Sequence, residues 1–101
     1  MTAAAFTPQA EVEGAEAVDW IRRDNPAAAQ VLRDAIINAA GRIGMHPHLG
    51  VARADLAREP YCFLTLTGFP YVVVYNSERR PPLIVRIVHG ARDLPEVLRD
   101  L

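Results

Sequence analysis

Apolar residues recur along this chain with two different periods, and the change between them divides the sequence. From Pro8 to Gly44 they return every third or fourth position, and from Tyr61 to Val88 nearly every second one. The first spacing predicts helices and the second predicts strands. Thr7-Pro8 is a sound helix start, with a hydroxyl at the N-cap and a proline where the missing N–H costs nothing. Ala10, Gly14, Ala17 and Ile21 then share one face, and their small side chains let a neighbouring helix approach closely. Asn25-Pro26 repeats the device after a very short turn. The second helix carries an apolar stripe of Ala28, Leu32, Ala35, Ile36, Ala39 and Ile43. Gly44 reads as its C-cap, and Pro47 blocks continuation. Helices joined this tightly lie roughly antiparallel. Ala3 to Phe6, ahead of them, reads as a short edge strand.

Residues 45 to 60 form a connection without a long periodic pattern. Three strands follow. Tyr61, Phe63 and Thr65 alternate with Cys62, Leu64 and Leu66, and Thr67-Gly68-Phe69-Pro70 supplies a turn. Tyr71, Val73 and Tyr75 alternate with Val72 and Val74; a polar turn from Asn76 to Pro82 carries Arg79-Arg80. Leu83, Val85 and Ile87 alternate with Ile84, Arg86 and Val88. One face of this meander is expected to cover the helical hairpin, since neither layer buries its apolar side alone. The second face is too apolar to be fully wet, so the chain's own C-terminus or a partner should cover part of it. Asp93-Leu94-Pro95-Glu96 has the cap and the acid of a helix start. Leu94, Val97, Leu98 and Leu101 make its apolar stripe, and a helix this short must dock to persist. The expected fold is α+β in one domain over residues 1–101: short strand, antiparallel helical hairpin, three-strand antiparallel meander, short C-terminal helix.

Charge changes the picture only locally. The formal net charge of the 101 residues is −1, yet residues 42 to 92 hold seven arginines against three acids. All eleven basic residues are arginine, so no reaction here can use a lysine amine. No apolar run approaches the ~20 residues of a membrane span. No basic segment precedes an apolar one at the N-terminus, and the single cysteine, Cys62, lies inside a strand pattern; a cytoplasmic location is expected. His46 and His48 flank a proline, but no further Cys, His or Asp completes a metal set, so neither metal nor cofactor is expected. The candidate chemistry sits where the last strand ends, at Arg86, His89 and Arg92. Arg86 reads equally as a ligand contact or as a structural arginine paired with an acid such as Asp93. Arg53, three residues after Gly50, reads as a contact residue or as the partner of Asp55 or Glu59. Trp20 lies off the small-residue stripe and reads as core or as an interface anchor.

The order and spacing of FTPQAEVEGAEAVDWIRRDNPAAA, then Pro47-x-x-Gly50-x-x-Arg53, then YVVVY and RIVHGARD resemble the RelE/ParE superfamily of bacterial toxins, its ParE-like branch above all. The resemblance implies that the first strand lies beside the last and that the hairpin packs on one sheet face. It implies the toxin of a type II toxin–antitoxin system, of the kind linked to plasmid stabilisation, with a ParD-like antitoxin as partner. RelE-like members cleave mRNA on the ribosome, whereas ParE-like members act on DNA gyrase. The nuclease pattern leans on lysines and a C-terminal tyrosine, and this chain has no lysine and no tyrosine after Tyr75. Glu59 is a poor match for the glutamate base of the His-containing nuclease variant. The expectation is therefore a toxin that binds and inhibits gyrase, with no sequence-specific DNA contact and no membrane association. Arg53, Arg86, His89 and Arg92 are its expected target-binding residues, and Trp20, Tyr71 and Tyr75 its expected antitoxin-binding residues. The alternatives are a ribosome-dependent endoribonuclease using those same four polar residues, or a non-toxic member that keeps antitoxin binding; whether the chain is an enzyme stays open.

Overall fold

Thr7 decides where the first strand stops and the first helix begins. Its Oγ1 accepts the N–H of Ala10 at 3.1 Å and donates to the Val85 carbonyl at 3.2 Å, so one hydroxyl caps a helix and anchors it to the sheet. The computed structural model describes residues 2–101. Strand β1 is Ala5–Phe6, helix α1 Pro8–Arg22 and helix α2 Pro26–Met45. Asn25 caps α2 through the N–H of Ala28 at 3.0 Å. There follow β2 (Val51–Ala52), β3 (Tyr61–Thr65), β4 (Tyr71–Asn76), β5 (Leu83–His89) and the single-turn α3 (Leu94–Val97).

The helices pack where the spacing predicts, with their stripes rotated slightly. α1 buries Ala10, Gly14, Ala17 and Val18, and Ile21 is only half-buried. α2 buries Ala29, Leu32, Ile36, Ala39, Ala40 and Ile43, while Ala28 and Ala35 are half-buried. The rotation follows from α1 touching β5 as well as α2. Gly14 sits at that contact, where an added Cβ would lie 3.3 Å from Ile87 Cδ1. Gly44 is not the C-cap. The helix runs on to Met45, and a Cβ at Gly44 would collide with the Thr2 carbonyl and lie 2.8 Å from Ala3 Cα. Its missing side chain lets the N-terminal segment cross the last turns of α2, where the Ala4 N–H donates to the Ala40 carbonyl at 2.9 Å.

The sheet has five strands in the order β1-β5-β4-β3-β2, with β1 parallel to β5 and the remaining pairs antiparallel. The expected meander is thus its centre, with the first strand beside the last. β2 was not expected, because two exposed residues pairing with Cys62 and Phe63 leave no alternation to read. The strict alternation expected in the last strand is also broken. Val74 faces Arg86 and Tyr75 faces Ile84, which leaves Val85 as the extra residue of a β-bulge. Ile84 and Ile87 consequently pack toward the helices, while Val85 and Val88 pack on the opposite face.

That opposite face is covered by the chain itself. Ala57, Phe63, Val74, Val88 and Leu98 form a second core, flanked by Leu56, Leu94, Val97 and Leu101. Leu98, 1% exposed, is what docks the C-terminal turn. Asp93 stands at the N-cap position of α3 without the expected side-chain cap, so docking rather than capping holds this short element. Cys62 is buried in the helix-side core, as a small apolar residue would be.

Tyr75 ties the loop after α2 to the sheet centre. It is fully buried, and its hydroxyl donates to the Pro47 carbonyl at 2.7 Å and accepts the Gly50 N–H at 2.8 Å. Gly50 is needed there, since a Cβ would sit 2.8 Å from the Phe63 carbonyl oxygen. Burial pushes the Tyr75 phenol above its ordinary value. Between the unfolded tyrosine's value of about 10 and that higher one, only the unfolded chain has released the proton. Stability is therefore intact below this window and declines as pH rises through it. Tyr75→Phe is expected to cost about 1–3 kcal/mol near neutral pH, from the unpaired Gly50 and Pro47 groups. It should also reduce the alkaline decline. Denaturant unfolding at neutral and strongly alkaline pH checks both, and an unaltered alkaline decline would assign it to other groups.

Candidate functional site

The parallel pairing of β1 with β5 ends at Phe6 and Ile84, so the outer edge of β5 beyond that point has no strand beside it. α1 passes over this edge and presents Glu13 to it. The Ile87 N–H donates to Glu13 Oε1 at 2.9 Å. Arg86 Nε donates to both carboxylate oxygens at 3.0 Å, and its Nη2 donates to Oε2 at 2.7 Å. Arg86 Nη1 reaches the other way, to the Val97 carbonyl in α3 at 2.9 Å. The Glu13 and Arg86 side chains are 10% and 20% exposed. Hydrogen bonding from Glu13 raises the Arg86 guanidinium above its ordinary value and outweighs the opposing effect of partial burial. Arg86 is thus the structural arginine of the two readings, but its acid is Glu13, not Asp93, and all three guanidinium nitrogens are committed within the fold.

Just beyond this pair, β5 ends in a turn. His89 accepts the Arg92 N–H on its carbonyl at 3.1 Å, and the Gly90 N–H donates to the Pro70 carbonyl at 2.7 Å. His89 Nδ1 accepts the Ala91 N–H at 3.0 Å, and the ring meets Tyr71 edge-on with centroids 5.2 Å apart. Arg86, His89, Arg92 and Tyr71 line one open depression of about 420 Å³, closed on the α1 side by Glu13 and Glu16. Two carboxylates therefore balance two guanidiniums, and the depression has no excess positive charge.

The remaining candidates lie elsewhere. Arg53 is not part of this cluster; it is exposed in the turn after β2 and pairs with Asp55, Nε to Oδ1 at 3.1 Å and Nη2 to Oδ2 at 2.9 Å. That hydrogen bonding raises the Arg53 value and lowers that of Asp55. Tyr75 cannot meet a partner in this fold, because it is sealed in the core. Trp20 is 65% exposed, and the Arg23 guanidinium lies 5.1 Å from its ring centroid. An apolar groove of about 430 Å³ runs between α1 and α2, lined by Phe6, Gly14, Val18, Ile36 and Ile37 and rimmed by Glu11, Asp19, Arg22 and Arg33. His46 and His48 are exposed, and no cluster of three or more metal-binding side chains exists among the described residues.

Glu13 is the site residue that sequence reasoning missed. The signal was an arginine in the middle of an apolar strand, which calls for an acid from whichever helix crosses that strand. Glu13 adjoins the Gly14 contact on α1 and is placed to supply it.

The family model of the ParE toxin of type II toxin–antitoxin systems (parDE) matches residues 4–94. Among solved structures, a chain of the "Chromosomal ParDE TA system from P. aeruginosa" is similar in fold, with a TM-score of 0.71 and 19% identity. The match covers 88% of this chain and 96% of that one. Comparison with curated proteins by sequence gives no significant match.

Removing one member of a largely buried ion pair leaves the other without compensation, at a typical cost of about 3–5 kcal/mol. Glu13→Leu and Arg86→Met are each expected to destabilise the fold by about that amount, and the double variant by clearly less than their sum. Denaturant unfolding of the four proteins measures the coupling. Strictly additive effects would mean that the pair does not act as a unit.

Proposed function

This chain belongs to the family of ParE toxins of type II toxin–antitoxin systems, and on that premise we propose that it acts by binding and inhibiting DNA gyrase. The observation that carries this reading is that the possible bases at the end of β5, Glu13 and the His89 Nδ1, are already engaged within the fold. A phosphodiester-cleaving site needs a base free to take a proton and a field that stabilises negative charge. Here the Arg86 guanidinium and the Glu13 carboxylate are bound to each other, and the Nδ1 of His89 is held by a backbone amide. Glu13 and Glu16 offset Arg86 and Arg92 in the depression. Arg53, the fourth residue of the nuclease reading, is paired with Asp55 outside the depression. Such an arrangement supports recognition of a protein surface over cleavage of a nucleic acid.

A ParD-like antitoxin is the proposed neutralising partner. The apolar groove between α1 and α2, with its charged rim, has the form that receives an amphipathic helix. Trp20, exposed on the other face of α1 with Glu13 and Glu16, and Tyr71, at the start of β4, are proposed as further aromatic contacts with the antitoxin. The proposed location is the cytoplasm, where gyrase works. No helix of the described residues is long and apolar enough to cross a membrane.

The purified chain is expected to inhibit gyrase-catalysed supercoiling, to lose that inhibition when the ParD-like antitoxin is added, and to leave ribosome-bound mRNA intact. Cleavage of A-site mRNA by the same preparation, with supercoiling unaffected, would replace this reading with the endoribonuclease one.

A further inference from the structure

The turn at the end of β5 does more than place His89; it fixes which nitrogen of the ring carries the proton. A backbone amide only donates, so the Ala91 N–H at 3.0 Å requires a bare lone pair on Nδ1. The proton of the neutral ring then sits on Nε2, the nitrogen left for a ligand. Turning the ring over would replace the bond at Nδ1 with a C–H facing the Ala91 amide, so the turn favours the orientation seen, with the ring packed at 77° to Tyr71. We propose that His89 Nε2–H and the Arg92 guanidinium, which line the same depression, act as a pair of donors that receives a single carboxylate side chain of the protein target. This rests on the reading of the chain as a toxin that binds a protein.

The neighbours favour one carboxylate over a polyanion. Arg86 lines the same depression, but its charge is already met by the Glu13 carboxylate, and its Nη1 is also engaged by the Val97 carbonyl. Arg92 is exposed and makes no ion pair among the described residues. Glu16, on the α1 wall, opposes a second negative group. A carboxylate accepts two donors at once, whereas a nucleic-acid strand would carry further charge toward Glu16. Because the His89 ring is held by the Ala91 amide before binding, only the Arg92 side chain has to be ordered when the ligand arrives.

The experiment is nitrogen NMR of the imidazole and guanidinium groups of the intact chain, titrated with acetate and separately with inorganic phosphate. His89 is assigned by its loss in His89→Gln. The expected result is a His89 ring with a protonated Nε2 and a bare Nδ1, and acetate shifting His89 Nε2 and Arg92 Nε together with one dissociation constant. Arg92→Gln should weaken acetate about tenfold, as expected for loss of a charge-assisted hydrogen bond. His89→Gln, whose amide keeps an N–H near the Nε2 position, should hold acetate within about threefold, while His89→Leu should not. A bare Nε2 overturns the proposal, and so does phosphate binding the pair more tightly than acetate. A chain that behaves as expected here but leaves gyrase untouched keeps this site and loses only the named target. A chain that inhibits gyrase with a bare Nε2 does the reverse.

Discussion

Strand β5 is longer than the strand beside it, and that inequality governs the architecture around the site. β1 covers only the start of β5, so the backbone from Val85 onward faces outward without a ladder to join. Buried or half-buried amides need partners, and an open edge invites pairing with another chain. Two side chains from the start of α1 answer this. Thr7 donates to the Val85 carbonyl, and Glu13 accepts the Ile87 N–H. Arg86 then neutralises Glu13 and carries the connection across the sheet to the Val97 carbonyl. One ion pair joins the helical layer, the sheet edge and the C-terminal turn.

The β-bulge follows from the same requirement. With strict alternation, Ile84 and Arg86 would share the helix-facing side, and an arginine would enter the apolar core. The extra residue at Val85 breaks that parity, so Ile84 and Ile87 pack inward while Arg86 reaches the edge. The bulge also sets the direction of the last residues of β5, and hence the position of the His89 turn. Fold and site are therefore not separable here. The arginine that looks most like a ligand contact is the one that makes the neighbouring contacts possible, by holding α1 and the C-terminal turn around the depression.

What could be read from residue order alone depended on how local its cause was. The helix starts at Thr7-Pro8 and Asn25-Pro26 were legible because capping is decided within four residues. The central strands were legible from alternation, up to the point where the bulge breaks it. β2 was not, because its pairing with Cys62 and Phe63 is set by the distant Tyr75 hydroxyl and by Gly50. Gly44 was misread because a glycine that ends a helix and one that lets another segment cross it look alike in sequence. The residues at the end of β5 were found as a place, but their chemistry was hidden. Neither the partner of Arg86, 73 residues away, nor the backbone amide that fixes the His89 ring leaves a mark in the residue types.

The most direct measurement is native-state hydrogen exchange at the Ile87 amide, which donates to the Glu13 carboxylate of α1. If Glu13 closes the edge of β5, this amide exchanges slowly in the unmodified chain. In Glu13→Ala it should become much faster than the β5 amides that pair with β4. An Ile87 amide that exchanges in the unmodified chain as fast as one in an exposed loop would contradict the account.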